Sequence, residues 1–154
     1  MVKIILHCSD SSFANATLIT RWHLERGFRT IGYHYVILNG FLDAGVYHAN
    51  FNGHVETGRA LDDDSDVNDK EMGAHVLSHN KGSIGICLVG KSNSFTDEQL
   101  NGSVKLIYSL EQQYKEIEIV QHSTLDPKKP FCAGLDMELY LSNYEKYKRL
   151  VSQG

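Results

Sequence analysis

The sequence predicts a single α/β domain, residues 1–154, in which helices flank a central mixed β-sheet. Short apolar runs closed by turn residues alternate with longer segments of helical periodicity, the pattern of strands and the helices that connect them. One run, Ser83 to Val89 (SIGICLV), is apolar nearly throughout and is closed by Gly90, as expected of a strand covered on both faces. A length of 154 residues and an apolar share of 42% suit one core.

Val2 to Leu6 is a compact run rich in β-branched residues and reads as a buried strand that delivers His7 at its C-terminal end. From Ser12 to Arg26 the apolar residues Phe13, Leu18, Ile19, Trp22 and Leu24 recur at near-helical spacing, and Gly27 supplies a stop. Thr30 to Leu38 reads as a second strand bounded by Asn39-Gly40. Val46 to Phe51 and Gly53 to Thr57 read as further strands around an Asn52-Gly53 turn. The acidic stretch Asp62 to Glu71 aligns poorly with a calcium-binding loop, with Val67 at the glycine position and Gly73 at the bidentate glutamate position, so it reads as a solvated loop. Thr96 precedes Asp97, Glu98 and Gln99, an N-cap with an acidic first turn for a helix running to about Tyr114. Ile117 to Gln121 is another strand, ending just before His122, and Leu135 to Leu150 carries a final helix.

Fifteen Lys and Arg against nineteen Asp and Glu leave a net charge of −4, without the basic excess on which phosphate binding rests, so nucleic acid is not an expected partner. No apolar run reaches the roughly 18 residues that span a bilayer, and the N-terminus has no signal-peptide pattern. The three cysteines, Cys8, Cys87 and Cys132, are widely spaced, unlike a secreted disulfide scaffold, and predict free or metal-bound thiols in a reducing compartment. A monomer without stable membrane association is the expected state.

Two of the predicted strands end in a histidine, at His7 and at His122. Zinc sites built for catalysis take three protein ligands and leave a fourth position to water. Cys132 follows His122 across a loop containing Pro127 and Pro130, so His7, His122 and Cys132 would make a His₂Cys site with one open corner. As bare residues these carry little weight: a histidine at a strand end is more often hydrogen-bonded structure, and a lone cysteine more often a small buried apolar residue.

Several strings in this order resemble one family: His7-Cys8-Ser9 after an apolar strand, Arg21-Trp22-His23 on the first helix, Gly32-Tyr33-His34-Tyr35, Asn52 to Arg59 (NGHVETGR), Gly73-Ala74-His75, and Asn80 to Gly90 (NKGSIGICLVG). They resemble the zinc-dependent N-acetylmuramoyl-L-alanine amidases, in particular the small phage endolysins within the fold shared with peptidoglycan recognition proteins. The resemblance runs over most of the chain. It implies that His7, His122 and Cys132 hold Zn²⁺, that Tyr33 faces the water on the metal and handles protons, and that His75 and Asn80 line the wall of the substrate groove. It also implies a catalytic lysine shortly before the third ligand. Relatives place that lysine two residues ahead, where this chain has Pro130; Lys129 is the expected residue and Lys128 the alternative. Phe41 to Phe51 looks like an insertion relative to the smallest relatives.

The remaining residues have plainer readings. Alternation points His34 away from Tyr33 and Cys8 away from His7, toward structural roles. Cys87 lies in an apolar strand and reads as buried, and Trp22 as an anchor between helix and sheet. The resemblance thus implies hydrolysis of the amide between N-acetylmuramic acid and L-alanine in peptidoglycan, by an endolysin made in the host cytoplasm that reaches the wall after membrane permeabilisation. Three alternatives stay open: a cytoplasmic muropeptide-recycling amidase, a non-catalytic peptidoglycan-binding module, and a cysteine hydrolase with Cys132 as nucleophile and His122 as base.

Overall fold

The computed structural model describes residues 1–153. Nine elements follow in chain order: β1 (Val2–Cys8), α1 (Ala16–Glu25), β2 (Tyr35–Asp43), β3 (Val46–Thr57), β4 (Ser83–Leu88), α2 (Asp97–Tyr114), β5 (Ile117–Gln121), the single turn α3 (His122–Leu125) and α4 (Met137–Ser152). The strands form one five-stranded sheet in the order β3-β2-β4-β1-β5. β1 runs parallel to both β4 and β5, β2 runs parallel to β4, and only β2 with β3 is antiparallel. The sheet is therefore mixed and central, as the alternation of elements predicts.

Alternation along β1 and β4 divides the core into two layers. Ile4, Leu6, Ile84, Ile86 and Leu88 point toward α2 and α4, where they meet Val104, Ile107, Leu110, Tyr140 and Tyr144. Cys87 faces the other side and packs with Ile19 of α1, Ile31, Val36 and Leu38, with Trp22 partly buried against them as the predicted anchor. Burial of five aliphatic side chains on the first face alone is worth roughly 1.5–3 kcal/mol apiece in transfer free energy, and this is what holds both helices on the sheet. His7 pairs in register with Cys87 and shares the α1 side of the sheet.

Helix starts agree with their caps. Thr96 accepts from the Gln99 amide while the Gln99 side chain accepts from the Thr96 amide, the full capping box. The buried Gln99 amide also donates to the carbonyls of Ile37 and Val89, tying α2 to the sheet. α1 starts at Ala16, with Asn15 as its cap, rather than at Ser12.

The hairpin differs from its sequence reading. β2 begins at Tyr35 and runs through Asn39-Gly40 to Asp43, and β3 is one continuous strand through Asn52-Gly53. The reversal falls at Ala44-Gly45 instead. Asn39-Gly40 marks shifts of register in the ladder, with a positive φ of 95° at Gly40 and the Tyr47 ring lying where a Cβ would project. Gly53 also has positive φ, and a Cβ there would stand 2.7 Å from the Glu98 carbonyl oxygen, so the glycine lets α2 approach the strand. Both glycines serve bulges and close approach, not two-residue turns. The segment from Phe41 to Phe51 builds the far end of this hairpin. Among the described residues no helix is long and apolar enough to cross a membrane.

Candidate functional site

His7 leaves the C-terminal end of β1, and His122 opens α3 immediately after β5. Because β1 and β5 are parallel, with Leu6 paired to Gln121, the two histidines emerge side by side at the carboxyl edge of the sheet, where ligands of open α/β sheets bind. The loop after α3 folds back through hydrogen bonds from the Lys129 amide to the Asp126 carbonyl and from the Cys132 amide to the Lys129 carbonyl, 3.0 and 3.3 Å. The Ser123 amide donates to the Cys132 carbonyl at 2.6 Å, and the Cys8 amide donates to the Cys132 Sγ at 3.2 Å. The donor atoms of His7, His122 and Cys132 consequently lie within 4.8 Å of one another.

This donor set fits zinc. The Nδ1 atoms of His7 and His122 face each other at 3.1 Å, close to the roughly 3.3 Å edge of a tetrahedron with ligand distances near 2.0–2.1 Å. Burial, then the neighbouring His75 and His122 rings, push the His7 pKa well below its usual value, so the ring is the neutral imidazole that a metal requires. Burial likewise lowers His122, against an upward pull from Asp126. Two neutral imidazoles and a cysteine thiolate are ligand types of zinc; hydrogen bonding with Cys8 and then burial push the Cys132 thiol up, so a metal bound here would displace its proton.

Around these donors lies a layer that fixes the rings. His7 Nε2 sits 2.8 Å from His75 Nδ1, His75 Nε2 sits 3.2 Å from Ser83 Oγ, and Ser83 Oγ donates to the Asn80 carbonyl at 2.9 Å. Read as donors, His7 Nε2–H to His75, His75 Nε2–H to Ser83 and the Ser83 hydroxyl to Asn80 form one consistent chain, which leaves His7 Nδ1 as a lone pair. His75 is pushed down to about 3, chiefly by burial and then by the charges of His34, His122 and Arg59, so it too is neutral. A Cβ on Gly85 would stand 2.7 Å from the His75 ring, so that glycine of β4 is what admits the ring beneath His7. On the other ligand, Asp126 Oδ2 lies 3.6 Å from His122 Nε2, a carboxylate behind a histidine whose Nδ1 faces the metal position.

Residues 2–129 match the family described as N-acetylmuramoyl-L-alanine amidase. The chain belongs to that family. It is 30% identical over 156 aligned positions to an endolysin of Klebsiella phage KP32, covering 93% of this chain and 87% of that protein. Its fold matches the N-acetylmuramoyl-L-alanine amidase LysC from Clostridium intestinale URNW with a TM-score of 0.72 at 20% identity, covering 93% of this chain and 84% of that one. The bumblebee peptidoglycan recognition protein PGRP-SA matches with a TM-score of 0.64 at 21% identity, over 84% and 74% of the two chains. The family match stops short of Cys132, which the loop geometry alone brings to the histidines.

In this amidase a cavity of about 810 Å³ is lined by His122 and Cys132, with His7 buried beside them. Tyr33 lines it, with its ring centroid 5.0 Å from that of His7. Burial first, then the neighbouring Cys87, Cys132 and Cys8 thiols, hold the Tyr33 phenol well above its ordinary pKa, so it is a neutral hydrogen-bond donor and not a phenolate. Lys128 and Lys129 both stand on the rim, but only Lys129 exerts a resolved effect on the pKa of His122, which its charge lowers. His75 and Asn80 are in the cavity wall as the sequence suggests. Their polar atoms are turned inward, however: both His75 ring nitrogens are engaged as described, and Asn80 Oδ1 accepts the amides of His75 and Val76 at 2.8 and 2.9 Å.

The sequence reading did not single out Asp126, Ser83 or Gly85. Asp126 had a local signal, one helical turn after His122. Ser83 and Gly85 lay inside the Asn80 to Gly90 string, but nothing local marked their contact with His75, which is made across a loop. Cys8 turns out to lie beside Cys132, with its thiol pulled down to about 7, first by hydrogen bonding to Cys132. Cys8 is the last residue of β1, paired with Leu88 and buried as alternation predicts, and it also lines the cavity.

Proposed function

We propose that this chain is a zinc-dependent hydrolase of the amide between N-acetylmuramic acid and L-alanine in peptidoglycan, acting as a phage or prophage endolysin. The observation that carries the reading is the convergence of His7, His122 and Cys132, two of which, His122 and Cys132, line the cavity while His7 lies buried beside them. Zinc bound there would supply a Lewis acid for the amide carbonyl and lower the pKa of water toward 7.

The protein's own groups would do the rest. His75 and Asp126 hold the ligand rings so that both Nδ1 lone pairs converge. Tyr33, a neutral phenol, donates a hydrogen bond to the attacking water or to the leaving amine and passes a proton between them. The Lys129 ammonium stabilises the negative charge that develops on the carbonyl oxygen, a contribution of about 3 kcal/mol for one well-placed donor. Substrate lies along the wall made by residues 74–80.

Mass analysis of digested sacculi, together with metal content, tests this reading. The expected result is free L-alanine amino termini on the stem peptides, one equivalent of zinc per chain, and activity lost to a chelator and restored by zinc. Cleavage of soluble muropeptides with intact sacculi untouched would instead identify a recycling amidase. Binding without cleavage would identify a recognition module. Inactivation by alkylation with indifference to chelators would identify a cysteine hydrolase, a reading disfavoured because His122 Nδ1 faces His7.

A further inference from the structure

The hairpin of β2 and β3 carries a surface that the catalytic site does not use. Cys8, the end of β1, pairs with Leu88, and Leu88 pairs with Ile37, so β2 passes the carboxyl edge of the sheet at that level and runs on to Asp43. At roughly 3.3 Å per residue the hairpin projects about 20 Å beyond the edge at which His7 and His122 stand. Its base is bonded to the loop before α1: the Asn39 side chain donates to the Ser12 carbonyl at 3.0 Å, and the Ala14 amide donates to the Phe41 carbonyl at 3.1 Å. Ser9 and Asp10 of that same loop line the cavity. The cavity and the hairpin thus share one loop as their border.

The two faces of the hairpin differ. Asn52 accepts from the Thr96 hydroxyl at 2.7 Å and donates to the Glu98 carboxylate and the Tyr47 hydroxyl at 3.1 and 3.2 Å. A Cβ on Gly53 would also point at the Glu98 carbonyl, so both neighbours turn toward α2. The bulge that puts them on one face leaves Phe51 and His54 on the other, where Glu56 accepts the Ala16 amide at 2.8 Å and α1 begins. On that face Phe51 stands between two imidazoles, its ring centroid 6.1 Å from that of His48 and 5.8 Å from that of His54, with interplanar angles of 79° and 83°. All three rings are open to solvent. Residues 44–55 contain no Asp, Glu, Lys or Arg.

This composition selects the occupant. Stem peptides carry carboxylates, and nucleic acids and anionic lipids carry phosphates, for which a surface without lysine or arginine offers no charged partner. A strand of N-acetylated sugars is neutral. Its pyranose rings present C–H groups to the negative face of an aromatic ring, and its hydroxyl and acetamido groups suit imidazole nitrogens. The bonds that tie Asn52 and Tyr47 on the opposite face hold the strand in place, so Phe51 is presented at little cost in ordering. We propose that Phe51, His48 and His54 form a secondary glycan-binding site, which holds the sugar strand of peptidoglycan while a stem peptide is cut in the cavity. The proposal rests on the reading of this chain as a peptidoglycan amidase.

The test uses the zinc-loaded protein with two probes: chitohexaose, a soluble and neutral N-acetylglucosamine oligomer, and intact sacculi. Chitohexaose should shift the NMR resonances of the His48 and His54 ring protons in a saturable way. Phe51→Ala should abolish those shifts with zinc content and Tm unchanged. On sacculi the same variant should raise KM several-fold at unchanged kcat, and on a soluble muropeptide of one disaccharide it should change neither. The double variant His48→Ala/His54→Ala should repeat the rise in KM on sacculi. Histidine resonances that ignore chitohexaose, or a parental KM on sacculi in both variants, would overturn the site. Shifts of the same resonances on raising the protein concentration alone would replace the glycan by a second copy of this chain. The NMR measurement needs no cleavage, so absent cleavage with the shifts intact would overturn the amidase reading alone.

Discussion

The Nε2 nitrogen of His7 and the Nδ1 nitrogen of His75 lie 2.8 Å apart, and this contact between a strand end and a loop sets which nitrogen of His7 faces the metal position. His75 is therefore expected to act through His7. In His75→Ala, zinc affinity should fall about 10–100-fold, the usual effect of removing a ligand's partner. Competition with a chromogenic chelator measures it; unchanged affinity with a raised KM would show that His75 contacts substrate instead.

Gly85→Ala should reproduce much of that loss from a residue that touches no ligand, because the new methyl group would stand 2.7 Å from the His75 ring. The paired measurement is zinc affinity in Gly85→Ala and in the double variant with His75→Ala. The two effects should not add, since both act on the same ring.

Cys132→Ser should lose bound zinc and fall to background activity while remaining folded, because its sulfur is one of the three donor atoms that lie within 4.8 Å of one another. Retention of a full equivalent of metal, read by elemental analysis, would remove Cys132 from the ligand set.

Lys129→Ala should lower kcat by about 10²–10³ with zinc retained and KM little changed, the signature of a donor that acts on developing charge. Lys128→Ala should have a small effect. A reversal of the two would assign the role to Lys128.

His23 gives a pH test away from the ligands. Its Nδ1 accepts the Gly32 amide at 2.9 Å, and burial, then Arg26 and Arg59, hold its pKa at about 4 rather than 6.5. The folded state keeps this ring neutral, while the unfolded chain takes up a proton near 6.5. Its stabilising contribution is thus complete above that pH and is lost as pH falls toward 4, with a slope of up to about 1.4 kcal/mol per pH unit. NMR titration of the His23 ring protons checks the value, and a midpoint near 6.5 would contradict it.

The two histidines of the candidate site were legible because each stands where local pattern can mark it. His7 and His122 close apolar runs of β-branched residues, and a run of that kind ends at the sheet edge whatever the rest of the chain does. Thr96 and Gln99 were legible for the same reason, since a capping box is a matter of four consecutive residues. The reading failed at Asn39-Gly40 and Asn52-Gly53, where dipeptides that favour turns serve a bulge and a helix contact. The choice was made by Tyr47 and Glu98, which are near in space and not near enough in sequence to be weighed.

Periodicity and short motifs, acting through backbone geometry, thus settled the α/β class, the strand ends that bear histidine and the family to which the chain belongs. Folding alone placed His75 under His7, made room for it with Gly85, and drew Cys132 back across its loop. Those contacts join residues separated by many positions, and no local rule encodes which distant side chains a packed interior will press together.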